Sequence, residues 1–456
     1  MVALSTLNPR APGLVLAAIL AISGVAREGL ASEAQLGEEP APTTVEEVKD
    51  GFEKKGVERG IPWLAQSRRG LVPSWLEGSR LDLHFRTYYL NHAEDSDDPT
   101  VAEHDRAAWA YGGWLRWESP WWGDRVNLAA AYYTSQRIWG PKRLAGSRLL
   151  TEKQGGYSVL GLANVKIRHG ELAQLTLYRQ LLDVPFLNRQ DSRMTPHTFE
   201  AATLAGRFRG FDYSLGWVER IKPRASRRFL SMAEAAGAEG EDRGLAYVSL
   251  NWSNEALSFG FTNQLTPDVL NNFYAEASWT RELANGIGLR IEGQVTDQRS
   301  VGDDLLTGTD FHTWRVGVRG VVTWNAVAFS LAYSWTDDER GIISPYGSDP
   351  NFLSTMQDDF EKAGDRALLF GLAHNFARWD LPNLTANVKF VFGQNRLRVS
   401  GGPNVNSRQV EATLDYRLAE GRLRGLWFRL RGSYLDDGPL VAGEVRAIIN
   451  YDIPLF

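Results

Sequence analysis

Residues 446–456 read RAIINYDIPLF. From Val445 onward, Val445, Ala447, Ile449, Tyr451 and Ile453 fall on one face. Arg446, Asn450 and Asp452 fall on the other, and only Ile448 breaks the polar row. A period of two specifies a strand. This one is apolar outside, charged inside and aromatic at its tip, Phe456. The same texture begins at Arg80. RLDLHFRTYYLN (80–91) sets Leu81, Leu83, Phe85 and Tyr89 against Asp82, His84, Arg86 and Tyr88. LRIEGQVTDQ (289–298) sets Leu289, Ile291 and Val295 against Arg290, Glu292, Gln294 and Thr296. Full charges in mid-strand are costly in a packed core but suit a water-filled lumen. Short turns such as HGE (169–171) and LANG (283–286) alternate with long polar segments, the asymmetry of an outer-membrane barrel. In lipid every backbone N–H and C=O needs a partner, so such a sheet must close.

The pattern predicts an all-β, closed antiparallel transmembrane barrel of eighteen strands. They start near 80, 107, 124, 155, 171, 198, 211, 242, 255, 270, 287, 310, 325, 366, 382, 406, 424 and 442. A barrel of that size holds an aqueous channel. Residues 1–31, with an apolar run from about Leu14 to Ala26, read as a secretory signal peptide. Residues 32–76 are charged and poor in aromatics and read as a periplasmic arm, partly helical or flexible. The barrel is expected over 77–456.

Composition excludes other classes. The 456 residues carry a formal net charge of −5, so there is no basic balance for nucleic acid. The absence of Cys removes disulfides and thiolate metal sites. The seven His are scattered, and no HExxH, GxSxG or phosphate-binding loop occurs, so neither cofactor nor metal is expected. The acidic stretch NHAEDSDDPTVAEHD (91–105) lacks the glycine of a calcium-binding loop and reads as a solvated loop facing lipopolysaccharide. Other expected partners are outer-membrane lipid, a small-molecule substrate and the barrel-assembly machinery. The last of these would act through the strand ending at Phe456, which resembles the assembly signature of bacterial barrels. Monomer and loose trimer both remain open.

Alternation turns Arg86, Arg116, Arg137, Lys166, Arg168, Arg290, Arg315, Arg319, Lys389, Arg417, Arg429, Arg431 and Arg446 inward. Closure would gather them into a basic ladder. A guanidinium is always charged and matches a carboxylate bidentately, so a row of them could pass an anion along by weak repeated contacts. Opposing Asp and Glu would pair many of them. The second candidate site is LYRQLLDVPFLNRQDSRMTPHTFEA (177–201), which breaks alternation at Pro185 and Pro196 and mixes apolar residues with charges. A segment of that kind is expected to fold inward and narrow the pore.

This segment resembles the third loop of the OprD family of outer-membrane porins, approximately GDSRLLPQTF, at Asp191, Ser192, Arg193, Pro196, Thr198 and Phe199. His197 stands where the family has Gln, and Met194-Thr195 where it has Leu-Leu. The first strand is similar to the family's EGSSLTLxxRNYYFNR at Glu77, Gly78, Ser79, Leu81, Arg86, Tyr88, Tyr89 and Asn91. The second resembles WAQGFxxxFESGFT at Trp109, Ala110, Gly112, Glu118 and Ser119. The resemblance implies an eighteen-stranded channel, an eyelet made by the third and seventh loops, and uptake of small carboxylate-bearing nutrients. Its third-loop residues here would be Arg189, Asp191, Arg193 and His197. The seventh loop maps to 338–366, whose acids, Asp349, Asp358, Asp359 and Glu361 among them, would form an opposite negative wall. Two other classes stay in view. A barrel hydrolase predicts a catalytic wall serine and a plugged lumen; an adhesive or structural barrel predicts no conductance.

Overall fold

The computed structural model describes residues 77–96, 98–395 and 405–456. The expected signal peptide and the arm at 32–76 lie outside the described residues. Eighteen antiparallel strands form the wall. They are β1 (Arg80–Ser96), β2 (Arg106–Glu118), β3 (Val126–Trp139), β4 (Tyr157–His169), β5 (Ala173–Gln180), β6 (Thr198–Phe208), β7 (Phe211–Lys222), β8 (Leu245–Ser253) and β9 (Leu257–Thr266). The second half holds β10 (Leu270–Leu283), β11 (Ile287–Arg299), β12 (His312–Trp324), β13 (Val327–Thr336), β14 (Asp365–Asn375), β15 (Leu384–Asn395), β16 (Val405–Arg417), β17 (Trp427–Asp436) and β18 (Leu440–Pro454). One further short strand, Leu230–Ser231, pairs with the end of β7 outside this cycle.

The barrel closes where the alternating stretch at the end of the sequence meets the one that begins at Arg80. β18 pairs antiparallel with β1 from Asp82↔Pro454 to Ser96↔Leu440. Beyond the strand, the Leu81 N–H donates to the Phe456 carbonyl (2.9 Å), and the Leu455 N–H to the Leu81 carbonyl (2.6 Å). The start of β1 and Phe456 therefore share one rim with the short turns. Most of the long segments, including 140–156, 181–197, 223–244 and 337–364, stand at the other.

Alternation fixes which side chains meet lipid. Leu115, Leu177, Ile291, Val318, Leu331 and Phe390 are exposed on the outer face, and their transfer from water to hydrocarbon drives insertion. Aromatic residues band both ends. Phe208 and the packed trio Phe211, Trp252 and Phe259 lie near the turn rim, and Trp109, Trp139, Trp314 and Trp335 near the loop rim. Such girdles suit the interface between hydrocarbon and water. The inner face is apolar only where loops pack on it. Leu182, Leu187, Phe199, Ile221, Met232 and Tyr346 form one such cluster. Tyr88, Leu90, Ala108, Leu149, Leu150 and Met194 form another. Close packing costs some positions their side chain: a Cβ on Gly161 would lie 2.3 Å from the Tyr133 ring.

Candidate functional site

Segment 181–197 carries the first group of site residues. Two short strands, Asp183–Val184 and Leu187–Asn188, pair into a tight hairpin whose turn residue Phe186 has positive φ (61°). Phe186 is buried edge-on against Tyr274 of β10, with ring centroids 5.9 Å apart. The Gln264 side-chain amide of β9 donates to the Pro185 carbonyl (2.5 Å). Asn188 bonds the seventh long segment: its Nδ2 donates to the Ser348 carbonyl (2.9 Å) and its Oδ1 accepts from the Ser348 N–H (2.9 Å). The two segments thus touch at Asn188 and Ser348.

Further along, the same segment is held by the opposite side of the wall. Arg86 on β1 donates to Asp191 in a bidentate pair (2.6 and 3.2 Å), to Asn450 Oδ1 of β18 (2.6 Å) and to the Arg193 carbonyl. Its guanidinium also lies over Trp114, which stacks on His84 at 3.9 Å. Burial pushes the Asp191 carboxyl up, but the charge and hydrogen bonds of Arg86 outweigh it and leave it below the usual carboxylate range. Arg86 is thus committed to a loop anchor, with only 6% of its surface exposed.

Beneath this segment lies a cavity of about 830 Å³, reaching toward the turn rim. Its walls include Arg86, Arg116, Arg417, Arg429 and Arg431 of the predicted ladder and Arg189, Asp191 and Arg193 of segment 181–197. It excludes Arg137, Arg168, Arg290, Arg315, Arg319, Lys389 and His197. Arg137 is exposed at the far end of β3. Arg168 clamps a turn, donating to the Asp124 carbonyl (2.8 Å) and covering the Trp121 ring at 4.0 Å. Arg290 and Arg319 share Glu292, and Lys389 donates to the Ser354 carbonyl (3.0 Å). Arg315 is fully buried against Asp349 and Glu361.

The expected acidic wall takes another form. Asp349 is 3% exposed and spent on Arg315, Asp358 pairs Lys362, and of the seventh segment only Ser348 reaches the cavity. Burial, reinforced by Asp349, raises the Glu361 carboxyl well above its ordinary range, so it is protonated at neutrality. The acids that do line the cavity are Asp82, Glu118, Asp183, Asp191, Asp415 and Asp452. They pair with the ladder: Arg429 is bidentate to Asp415 (2.6 and 3.0 Å), and Arg116 and Lys166 share Glu118 (3.1 and 2.8 Å). Eight arginines against these six carboxylates leave the lining cationic.

The excess is sharpest around Arg193, where it is joined by cations the sequence reading did not single out. Arg193, Arg224 and Arg148, with Lys222 behind them, have no carboxylate at ion-pair distance among the described residues. Among the described residues Arg193 donates to the carbonyls of Ser147 (3.1 Å) and Ser192 (2.9 Å). Arg224 donates to the Ser192 hydroxyl. Burial, then the neighbouring cations, lowers Arg193 to about 10 and Arg224 to about 9; both stay charged at pH 7. The same burial and the nearby Arg224 and Lys222 push His197 well below its ordinary value, so it is neutral. The signal for this cluster was present as the basic run KPRASRR at 222–228 and as Arg148 in the second long segment. It gave no hint that the two would converge on segment 181–197.

Comparison with known proteins bears on the whole chain. Among solved structures it is similar to OpdK of Pseudomonas aeruginosa, determined with vanillate (TM-score 0.74, 19% identity, 84% of this chain and all of that one). It is also similar to OccK9 (OpdG) of the same organism (TM-score 0.74, 20% identity, 84% of this chain and all of that one). A BenF-like porin of Pseudomonas fluorescens Pf-5 shares the fold at 16% identity (TM-score 0.73, again 84% and 100%). No individual curated protein matches the sequence. The family model described as outer membrane porin, OprD family, matches residues 73–455, and the chain belongs to that family.

Proposed function

We propose that this outer-membrane porin conducts small organic anions, carboxylates above all, by diffusion, and that segment 181–197 forms the eyelet that selects them. The observation that carries the reading is the set of cations at this segment with no carboxylate at ion-pair distance among the described residues, Arg193, Arg224 and Arg148. An anion entering there gains charge-assisted hydrogen bonds in exchange for neutral carbonyl and hydroxyl partners rather than for a carboxylate. Below it, the paired arginines at Asp415 and Glu118 offer weaker, exchangeable contacts, as release requires. Contacts of the segment with Tyr274 on β10 and Arg86 on β1, strands nine places apart around the barrel, support its role as a constriction. The similar porin OpdK is solved with vanillate, itself a carboxylate.

The test is single-channel recording in a planar bilayer under a salt gradient. The expected result is a small conductance, a reversal potential of anion-preferring sign, and block by added benzoate or vanillate. Arg193→Ala with Arg224→Ala should weaken that block by about tenfold to a hundredfold, the worth of one to two charge-assisted hydrogen bonds. Cation preference in the native protein, or no conductance, would overturn the proposal.

A further inference from the structure

The outer wall at the loop rim carries a second set of cations. Ala367 and Leu369 of β14 are buried inside the barrel, so Arg366, Leu368 and Phe370 point outward. On β15, Val391 is buried inside and Phe392 is half exposed outside. Register then places Arg366 beside Gln394 and Asn406, and Arg408 beside Phe392, one step nearer the membrane. The two arginines sit two strands apart with Cα atoms separated by roughly 12 Å, from strand spacing and rise. Together with Tyr333 they line a groove of about 440 Å³.

Neither guanidinium has a carboxylate at ion-pair distance among the described residues. The acid opposite Arg408 in the ladder, Asp436, accepts instead from the Gly438 N–H (3.2 Å). Arg366 packs its charge over Trp335 at 4.7 Å, and its buried Nε has no hydrogen-bond acceptor among the described residues. Trp335 in turn packs edge-on against Trp314. Directly below, toward the hydrocarbon, the surface is Leu368, Phe370, Phe390 and Phe392. The patch is therefore cationic at the interface and apolar beneath it. An unpaired guanidinium at that depth calls for an anion, and the geometry of two guanidinium forks suits a phosphate.

We infer that this face binds one phosphorylated glycolipid of the outer leaflet, the lipid A portion of lipopolysaccharide. Arg366 and Arg408 would clamp its phosphate, Gln394 and Asn406 would meet the sugar, and the Phe370–Phe392 surface would seat an acyl chain. The loop rim faces the outer leaflet, whose lipid combines these three chemistries; charge complementarity selects it over an uncharged lipid.

The test uses the full-length protein in neutral detergent with EDTA, so that no divalent ion bridges the partners. Binding of bisphosphorylated lipid A, its dephosphorylated form and inorganic phosphate is measured by native mass spectrometry and thermal shift. Bisphosphorylated lipid A should bind and raise the melting temperature, and the other two should not. Arg366→Gln with Arg408→Gln should weaken it about thirtyfold, about fivefold for each cation. Single-channel conductance of this variant should match the native value, since neither residue faces the lumen. If the double variant does not fold, Arg408→Gln alone should show the fivefold loss. Equal binding of dephosphorylated lipid A, an equal shift by inorganic phosphate, or unaltered lipid binding in the folded variant would overturn the proposal.

Discussion

Asp191→Asn is the sharpest probe of how segment 181–197 is held. The substitution keeps shape and removes the charge that faces Arg86. In the native protein Arg86 makes a two-armed pair with Asp191, while the Asp191 side chain remains 28% exposed. Breaking a buried pair costs about 3–5 kcal/mol, and partial exposure of one partner brings the expected loss to about 2–3 kcal/mol. Arg86 would keep Asn450 and the Arg193 carbonyl, so the barrel should still assemble. The segment's detached state should then gain population by about thirtyfold to a hundred-and-fiftyfold, at about 1.4 kcal/mol per decade. Single-channel recording at neutral pH would read this as frequent steps to higher conductance on an otherwise steady trace. The native protein offers an internal control. The Asp191 carboxyl lies below the ordinary carboxylate range, so the stability it contributes is fully present above the unfolded value and is lost as pH falls through the depressed one. Native channels should therefore stay quiet through mild acid and acquire the same steps only in stronger acid, whereas D191N should lose that acid dependence. A D191N trace as quiet as the native one, in folded protein, would refute the claim that this pair anchors the segment.

Other predictions test separate parts of the structure. Phe186→Ala should cost about 3 kcal/mol by leaving a cavity against Tyr274; because it sits on the same segment, it should also give unsteady conductance in bilayers. Asp349→Asn should release the seventh segment from buried Arg315, with about 3–5 kcal/mol lost and faster proteolysis within 337–364. Glu361→Gln should leave stability and proteolysis near native at pH 7, because that carboxyl is already protonated there. Its raised value also means that its contribution is present at low pH and declines as pH rises through the folded value, a dependence that E361Q should abolish. Removing residues 454–456 deletes the hydrogen bonds from Leu81 to the chain end. The yield of heat-modifiable, folded barrel in outer-membrane fractions should fall, and an unchanged yield would count against a sealing role for these residues.

The wall was legible in the sequence because period two carries its own evidence residue by residue. Each of the eighteen expected strand starts lies within three residues of the observed one. Arg86, Arg315 and Arg431 were correctly turned inward for the same reason. Alternation gives the face but neither the height nor the partner. Arg168 lies on the expected strand yet closes a turn, because its carbonyl acceptor belongs to Asp124 on a neighbouring hairpin. The link from Arg86 to Asp191 joins residues far apart in the chain, and nothing local to either announces it. The seventh segment looked like a negative wall because its acids are many, but burial of Asp349 and Glu361 on Arg315 removes them from the lumen. Lys222 and Arg224 were passed over as loop residues, since their meaning depends on where segment 181–197 comes to rest.

Most of the inner apolar packing lies toward the loop rim, where Leu90, Met194, Leu353 and Phe360 are buried, while the cavity occupies the half nearer the turns. The strands are thus backed on the inside by packed loops in one half and by a wet lumen in the other. That division separates what holds the molecule together from what sorts its solutes. Polar positions that line the cavity without closing an ion pair of the wall, such as Asn387, are the ones where exchange for other polar types should disturb folding least, so new cargo preferences are within reach of single substitutions there. Changes at the loop-rim layer carry the penalty of disturbing a close-packed interior. Diversification within this architecture should therefore concentrate in the lower storey of the lumen, and libraries aimed at new solutes are best built on it.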